Sequence, residues 1–301
     1  MVGANLIHRL LEEGFQVFVM TRSEANCFRI RTVQNKLHLM VADITDAQAV
    51  RSVVSGVRPD ILYHLASTSF NPDVLSAEDH FRVNVMGTLH ILEAMKEAKA
   101  VRLVFTSSAA EYGNGEHLRE DCEVRPETML GASKASANIL IQTYVRLYGI
   151  QAVLLRLFTP YGPWESDQRF VPHVILSALQ RKDILISHGQ QERDFVYIED
   201  VVDALMLAGT QKVESGSIFN IASGEGVPVH KVAALILRLM KNPVKLTRGA
   251  VPTRPDEIMK MSANISKAKK VLGWKPRIGL EEGEKKTIAW LTKRENLGTH
   301  A

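Results

Sequence analysis

Short apolar runs alternate with amphipathic helical spacings through the first half of this 301-residue chain, and that alternation restricts the fold more than any other feature. The runs fall at 17–20, 37–41, 61–65, 101–105 and 153–158, with helical patterns at 46–54, 83–96 and 132–147 between them. Strand-length runs separated by helices argue for right-handed crossovers and a parallel sheet covered on both faces. The expected fold class is therefore α/β, a doubly wound parallel sheet. Ligands in such sheets bind beyond the carboxyl ends of the strands. Those ends carry Thr21-Arg22, Asp43, Ala66-Ser67, Thr106-Ser107-Ser108 and Thr159-Pro160-Tyr161, a concentration of small and polar residues. Past residue 160 the pattern loosens into loops rich in Pro and Gly around helices at 172–180 and 229–240, which reads as a smaller second lobe.

The chain starts on a helix rather than a strand. Leu6, Ile7, Leu10 and Leu11 recur at the spacing of one buried helical face, Gly14 stops the pattern, and a strand-length run follows. That order is a βαβ unit without its first strand. In dinucleotide-binding units a glycine-rich turn leads from the first strand into a helix whose N–H groups face a pyrophosphate, and Gly3 stands where the last glycine of that turn would sit.

Composition excludes other classes. Apolar residues make up 46% and charged residues 23%, as in ordinary globular proteins, and no apolar run approaches the ~18 residues needed to cross a bilayer. The net charge is +4, with Lys and Arg scattered and no aromatic residues interleaved, so nucleic acid is not an expected partner and neither is a membrane. Cys27 and Cys122 have no metal or redox spacing, His64 reads as a core residue within an apolar strand, and no metal is expected. The cysteine usage and the absence of a targeting pattern give cytoplasmic localisation as the expectation.

The most specific stretch lies between 101 and 140: VRLVFTSSAAEYGNG followed by RPETMLGASKASANIL. Together with HLAS at 64–67, NVMGTLHILEA at 84–94, RDFVYIEDVVDA at 193–204 and FNIASGE at 219–225, it resembles the extended short-chain dehydrogenase/reductase family. The closer resemblance is to the branch of nucleotide-sugar epimerases, dehydratases and 4-ketoreductases, over nearly the whole chain. It implies a Rossmann-type domain at 1–160, to which about 195–222 also contributes, and a nucleotide-sugar-binding lobe at 161–194 and 223–301.

In that family a Ser or Thr after the strand, a Tyr on the next helix and a Lys four residues later move a proton on a sugar hydroxyl while hydride passes to or from the cofactor. Ser108 and Lys134 match the Ser and the Lys. The Tyr position is Leu130, which cannot transfer a proton. Tyr112, in the Tyr-Gly after the serine strand, reads as a packing or substrate-side residue. The cofactor implied is NAD or NADP, lined by Gly3, Asp43, Ile44, Leu65, Ala66, Asn84 and Lys134. Arg22 stands where NAD-preferring proteins carry an acid, and a guanidinium there suits the 2′-phosphate of NADP.

For a nucleotide-diphosphate sugar, the resemblance places Arg193 and Arg254 on the phosphates, Phe195 near the base and Thr159 where an Asn is often found. Relatives that remove water at C5 and C6 carry an Asp-Glu pair after the serine; this chain has Ala109-Ala110, which disfavours 4,6-dehydration. Hydride transfer at C4, as epimerase or ketoreductase, is the expected chemistry. The alternative is a nucleotide-sugar-binding homologue without turnover, because of Leu130 and the incomplete phosphate-binding turn. The resemblance also implies roughly ten further residues ahead of Met1, carrying the buried first strand. It implies a homodimer through the helices at 83–96 and 132–147 as well.

Overall fold

The computed structural model describes residues 1–68, 76–98, 102–254 and 257–296, apart from the side chains of residues 25 and 26. Helix α1 (Val2–Glu12) buries Ala4, Leu6 and Leu10, and the turn after it uses Gly14 at φ +82. Strands β1 (Phe18–Thr21) and β2 (His38–Val41) pair in parallel, Phe18 opposite His38. Between them Glu24–Lys36 winds as 3₁₀ turns, a polar stretch with no apolar period to announce it. Helix α2 (Ala47–Val57) begins on Asp46, whose carboxylate accepts from the N–H groups of Gln48 and Ala49 at 2.9 and 3.0 Å.

Strand β3 (Ile61–His64) and a short α3 (Ala77–Phe81) follow. The helix expected over 83–96 is two pieces: a π-turn at Arg82–Met86, then α4 (Gly87–Ala98). Strand β4 (Arg102–Ser108) is buried on both faces from Leu103 to Ser107; residue 101, where the sequence pattern begins it, lies outside the described residues. After β5 (Gly115–Leu118), helix α5 (Met129–Tyr148) starts on Thr128, whose hydroxyl accepts from Gly131 N, and ends on Gly149. Then come β6 (Gln151–Leu157), β7 (Thr159–Tyr161), α6 (Phe170–Leu179), β8 (Ile184–Ile186), β9 (Glu192–Tyr197), α7 (Ile198–Thr210) and β10 (Ser217–Ile221). The chain ends through β11 (Gly226–Pro228), α8 (Val229–Leu239), β12 (Leu246–Arg248), β13 (Met261–Ala263) and α9 (Leu280–Asn296).

The central layer is parallel, in the order β10-β6-β4-β3, with β1-β2 as a separate parallel pair. β1 and β3 each keep one edge without a strand partner among the described residues, so the doubly wound order is interrupted between them. The interruption shows in burial. Phe18 in β1 is 40% exposed and Ile61 to Tyr63 are half-buried, whereas Leu103 to Phe105 in β4 are at most 1% exposed. Small sheets complete the second lobe: β11-β9-β7, β12-β8 and β13-β5. The largest core cluster runs from α1 through β6 and α7 to α8 and α9, tying the two parts together with Trp274, Tyr161 and Tyr197 at its centre.

Candidate active site

Ser108 ends β4, and its Oγ accepts from the N–H of Ala110, capping the short turn that follows. Helix α5 passes hard against this turn. A Cβ at Gly131 would fall inside the van der Waals shell of the Ala110 carbonyl oxygen, so only glycine permits the approach. One turn further along α5, Lys134 reaches β4 and donates from Nζ to the Thr106 carbonyl at 2.8 Å. Its ammonium also lies 4.8 Å from the Phe105 ring centroid. Lys134 is buried, which lowers its pKa to about 8 while Glu111 pulls it upward. Leu130, four residues earlier on the same helix face, is half-buried. Leu130 and Lys134 thus stand one turn apart on α5, the helix that packs against the turn opened by Ser108.

Beneath Ser108 lies a buried polar network that the sequence did not announce. Ser107 donates to Glu111, which also receives Arg156 Nε at 2.9 Å and Asn138 Nδ2 at 3.0 Å. The Arg156 guanidinium lies 4.4 Å over the Tyr112 ring, and the Tyr112 hydroxyl donates to Asn220 at 2.8 Å. Burial pushes that phenol up to about 12, against the pull of Arg156. Tyr112 is therefore a buried phenol that keeps its proton near neutral pH and spends it on Asn220. The only hint in the sequence was Glu111 itself, an acid between apolar Ala109-Ala110 and Tyr112.

Asn84 lies in the π-turn, buried, with its amide fully used. It donates to Ser133 Oγ at 2.9 Å and to Thr68 Oγ1 at 3.0 Å, and accepts from Thr68 N at 3.0 Å. His80 closes the group by a 2.7 Å bond to Thr68. This network fixes the loop after β3, on which Leu65 is half-buried and Ala66 exposed, against α5. His64 is a satisfied core residue, bonded to Thr88 Oγ1 at 2.9 Å and lowered to about 3 by burial and by Lys134.

Asp43 accepts from the N–H and hydroxyl of Thr45 at 2.9 and 2.8 Å, which holds its carboxyl below the usual range with help from Arg22 and Arg82. The helix cap is Asp46, so Asp43 is left to shape the turn at Ile44, which is buried. Arg22 is exposed at the end of β1. Gly3 lies inside α1, one residue past its first, and its open Cβ position is 3.6 Å from the Leu65 side chain. Among the described residues the start of α1 has no side-chain cap, and its first turn holds no acid.

In the second lobe Arg193 and Arg254 converge on one carboxylate. Arg193 pairs with Glu257 and donates to the Ile258 carbonyl at 2.6 Å, while Arg254 reaches Glu257 Oε2 at 3.0 and 3.2 Å. The Arg254–Glu257 pair is local, three residues apart, whereas the pairing of Glu257 with Arg193 is a tertiary contact that no local pattern encodes. Thr159 opens β7 opposite Phe195 on β9, and Phe195 stands edge-on to Tyr161 with ring centroids 6.0 Å apart. Phe195 also forms part of a cleft of about 870 Å³ lined by Lys231, Leu235, Arg238 and Ile278; Ser108, Lys134, Arg193 and Arg254 lie outside its walls. Among the described residues no group of His, Cys, Asp and Glu could hold a metal ion, and no helix is long and apolar enough to cross a membrane.

The model of the NAD dependent epimerase/dehydratase family matches residues 1–222. The chain belongs to that family. A UDP-glucuronate 4-epimerase of Thermodesulfobacterium geofontis is 30% identical over 85% of this chain and 79% of its own length. A dTDP-D-glucose 4,6-dehydratase of Mus musculus is 31% identical over 89% of this chain and 78% of its own. Among solved structures, the UDP-glucose 4-epimerase of Thermus thermophilus in complex with NAD superposes with a TM-score of 0.88 at 25% identity, covering 97% of this chain and 96% of that one. The α/β doubly wound fold and membership of a nucleotide-sugar epimerase/dehydratase family are thus shared with proteins of known fold.

Proposed function

We propose that this protein is an NAD(P)-dependent enzyme that transfers hydride at C4 of a nucleotide-diphosphate sugar, as a 4-epimerase or 4-ketoreductase. The observation that carries this reading is the bond of Lys134 to the Thr106 carbonyl, two residues before Ser108 on β4, with α5 held close to the Ser108 turn at Gly131. Ala109-Ala110 after the serine argue against dehydration, which needs an acid and a base at that point.

The residues present fit a dinucleotide. The uncapped start of α1, with Gly3 against Leu65, suits a pyrophosphate, and small Ala66 leaves room at the end of β3. Ile44 and Asn84 are buried, and Asp43 is held ionised by Thr45; the family resemblance assigns all three to the cofactor. Arg22, exposed at the end of β1, favours the 2′-phosphate of NADP. When bound, the nicotinamide accepts or returns the hydride. Lys134 would hold the ribose hydroxyls, Ser108 the sugar hydroxyl, and Arg193 with Arg254 the diphosphate, with Thr159 and Phe195 beside the substrate. Guanidinium groups suit that task because their forks match phosphate oxygens. The expected oligomer is a homodimer through α4 and α5; on α5 Ile139, Leu147 and Tyr148 are 66%, 67% and 52% exposed.

Leu130 supports a second reading, a nucleotide-sugar-binding homologue whose turnover is impaired, since no phenol occupies the proton-transfer position. The test follows C4 configuration by proton NMR during incubation with UDP-glucuronate or UDP-glucose and either cofactor, for the wild type and Leu130→Tyr. Turnover by the wild type supports the enzyme reading. Turnover by Leu130→Tyr alone supports the binding reading, and inactivity of both with no cofactor bound overturns the two together.

A further inference from the structure

Helix α9 carries an acid where its sequence shows a surface. In LEEGEKKTIAWL the glutamates look solvated, yet Glu284 is fully buried and among the described residues neither carboxyl oxygen has a hydrogen-bond partner. A second buried acid, Glu165, lies in the turn between β7 and α6; its Oε1 is 3.6 Å from Arg169 Nε and its Oε2 has no partner among the described residues. Three carboxyl oxygens of these two acids are thus buried without a donor among the described residues. A buried carboxylate left unpaired is costly, and a proton is the smallest group that relieves the cost.

The two acids join different parts of the molecule. Glu165 follows the Tyr161-Gly162 turn, and Glu284 sits next to Gly283, where a Cβ would collide with the Tyr161 hydroxyl. That hydroxyl donates to the Leu280 carbonyl at 3.3 Å. Nearby, Arg294 of α9 forks onto Asp167 at 2.7 and 3.0 Å, and Trp290 stands edge-on to Trp164 at 4.9 Å. The seam between α9 and the 161–169 segment is thereby closed by one ion pair, one aromatic pair and two acids.

We propose that Glu165 and Glu284, each buried at this seam with carboxyl oxygens that no donor reaches among the described residues, are held in the protonated form, and that α9 stays seated on the turn after β7 only while they are. Burial pushes Glu165 up to about 7, and burial together with the charge of Glu165 pushes Glu284 well above its ordinary value. The other charged and titratable groups at the seam are the Met1 amine and Arg29 beside Glu165, then Arg169, Asp167 and Arg294, with Tyr161, Tyr197, Asp200 and Glu282 on the far side. A difference between wild type and variant isolates the two acids from these neighbours.

The sign is fixed by linkage. An acid whose folded pKa is raised keeps its proton where the unfolded chain has lost it, so its support is full below about 4.5 and is lost as pH rises through 7. Deprotonation loosens α9.

The experiment is a melting series of the full chain from pH 5 to 9 for the wild type, Glu284→Gln and Glu165→Gln, with trypsin cleavage of α9 at Lys285, Lys286 and Lys293 as second readout. The expected result is a melting-temperature advantage of each Gln variant that is near zero at pH 5 and grows by several degrees by pH 8.5, with α9 of the wild type cut severalfold faster there than that of the variants. A gap that stays constant with pH, or variants that melt below the wild type at pH 8.5, overturns the proposal. Two single variants are used so that a folding defect in one leaves the other to decide.

Discussion

Lys134 donates from Nζ to the main-chain oxygen of Thr106 at 2.8 Å, two residues before Ser108, and Leu130 lies one helical turn ahead of it. Under the function proposed above, Lys134 and Ser108 would serve proton transfer with an aliphatic side chain at the position of the donor. Leu130→Tyr is expected to raise turnover of a nucleotide sugar at C4 by about a hundredfold or more, the lower range for a positioned general acid or base. An NMR progress curve or a cofactor absorbance assay measures it.

Gly131→Ala is expected to destabilise the protein by about 1–3 kcal/mol, because the new Cβ meets main-chain carbonyl rather than a movable side chain. Urea unfolding of the variant reads this directly. An unchanged midpoint would mean that α5 can retreat from the Ser108 turn at no cost.

Arg22→Glu is expected to shift the preference between NADPH and NADH by at least about tenfold toward NADH, a change of about 1.4 kcal/mol. Fluorescence titration with both cofactors checks it. Arg22 is exposed, so the variant leaves the core untouched.

His64 makes stability sensitive to acid. Its folded pKa is held at about 3, so between roughly 6.5 and 3 the unfolded chain takes up a proton that the folded one refuses. The contribution is complete above that window and is lost as pH falls through it. His64→Gln, which can still meet Thr88, is expected to lose less stability between pH 6.5 and 5 than the wild type in denaturant titrations.

The open edges of β1 and β3 predict a gradient in hydrogen exchange. Amides of 18–21 and 61–64 are expected to exchange faster than those of 103–107, whose strand is paired on both sides. Equal protection would show that these edges are covered in solution.

The alternating core was legible because β4 and β6 are buried on both faces and read as uninterrupted apolar runs. Ser108 ends β4, while Lys134 and Asn84 are buried and bonded to Thr106 and Ser133; the roles assigned to them belong to the proposed function. The split of 83–96 into a π-turn and α4 was not legible, since an added residue in one turn leaves the apolar spacing nearly unchanged. Glu257 and Glu111 were missed because Arg193, which joins Arg254 on Glu257, and Arg156 with Asn138, which meet on Glu111, are distant from them in sequence. Glu284 had a signal that went unread: it shares the stripe of Thr287, Ile288 and Leu291 on α9.

The most direct measurement is to denature the purified protein and identify by mass spectrometry any cofactor and sugar nucleotide released, then to titrate the refilled or empty protein with NADH and NADPH. Bound or readily bound dinucleotide, with a nucleotide-diphosphate sugar as co-ligand, is the expected result. A protein that releases nothing and binds neither cofactor would contradict the assignment of a dinucleotide site to α1, Arg22 and Lys134.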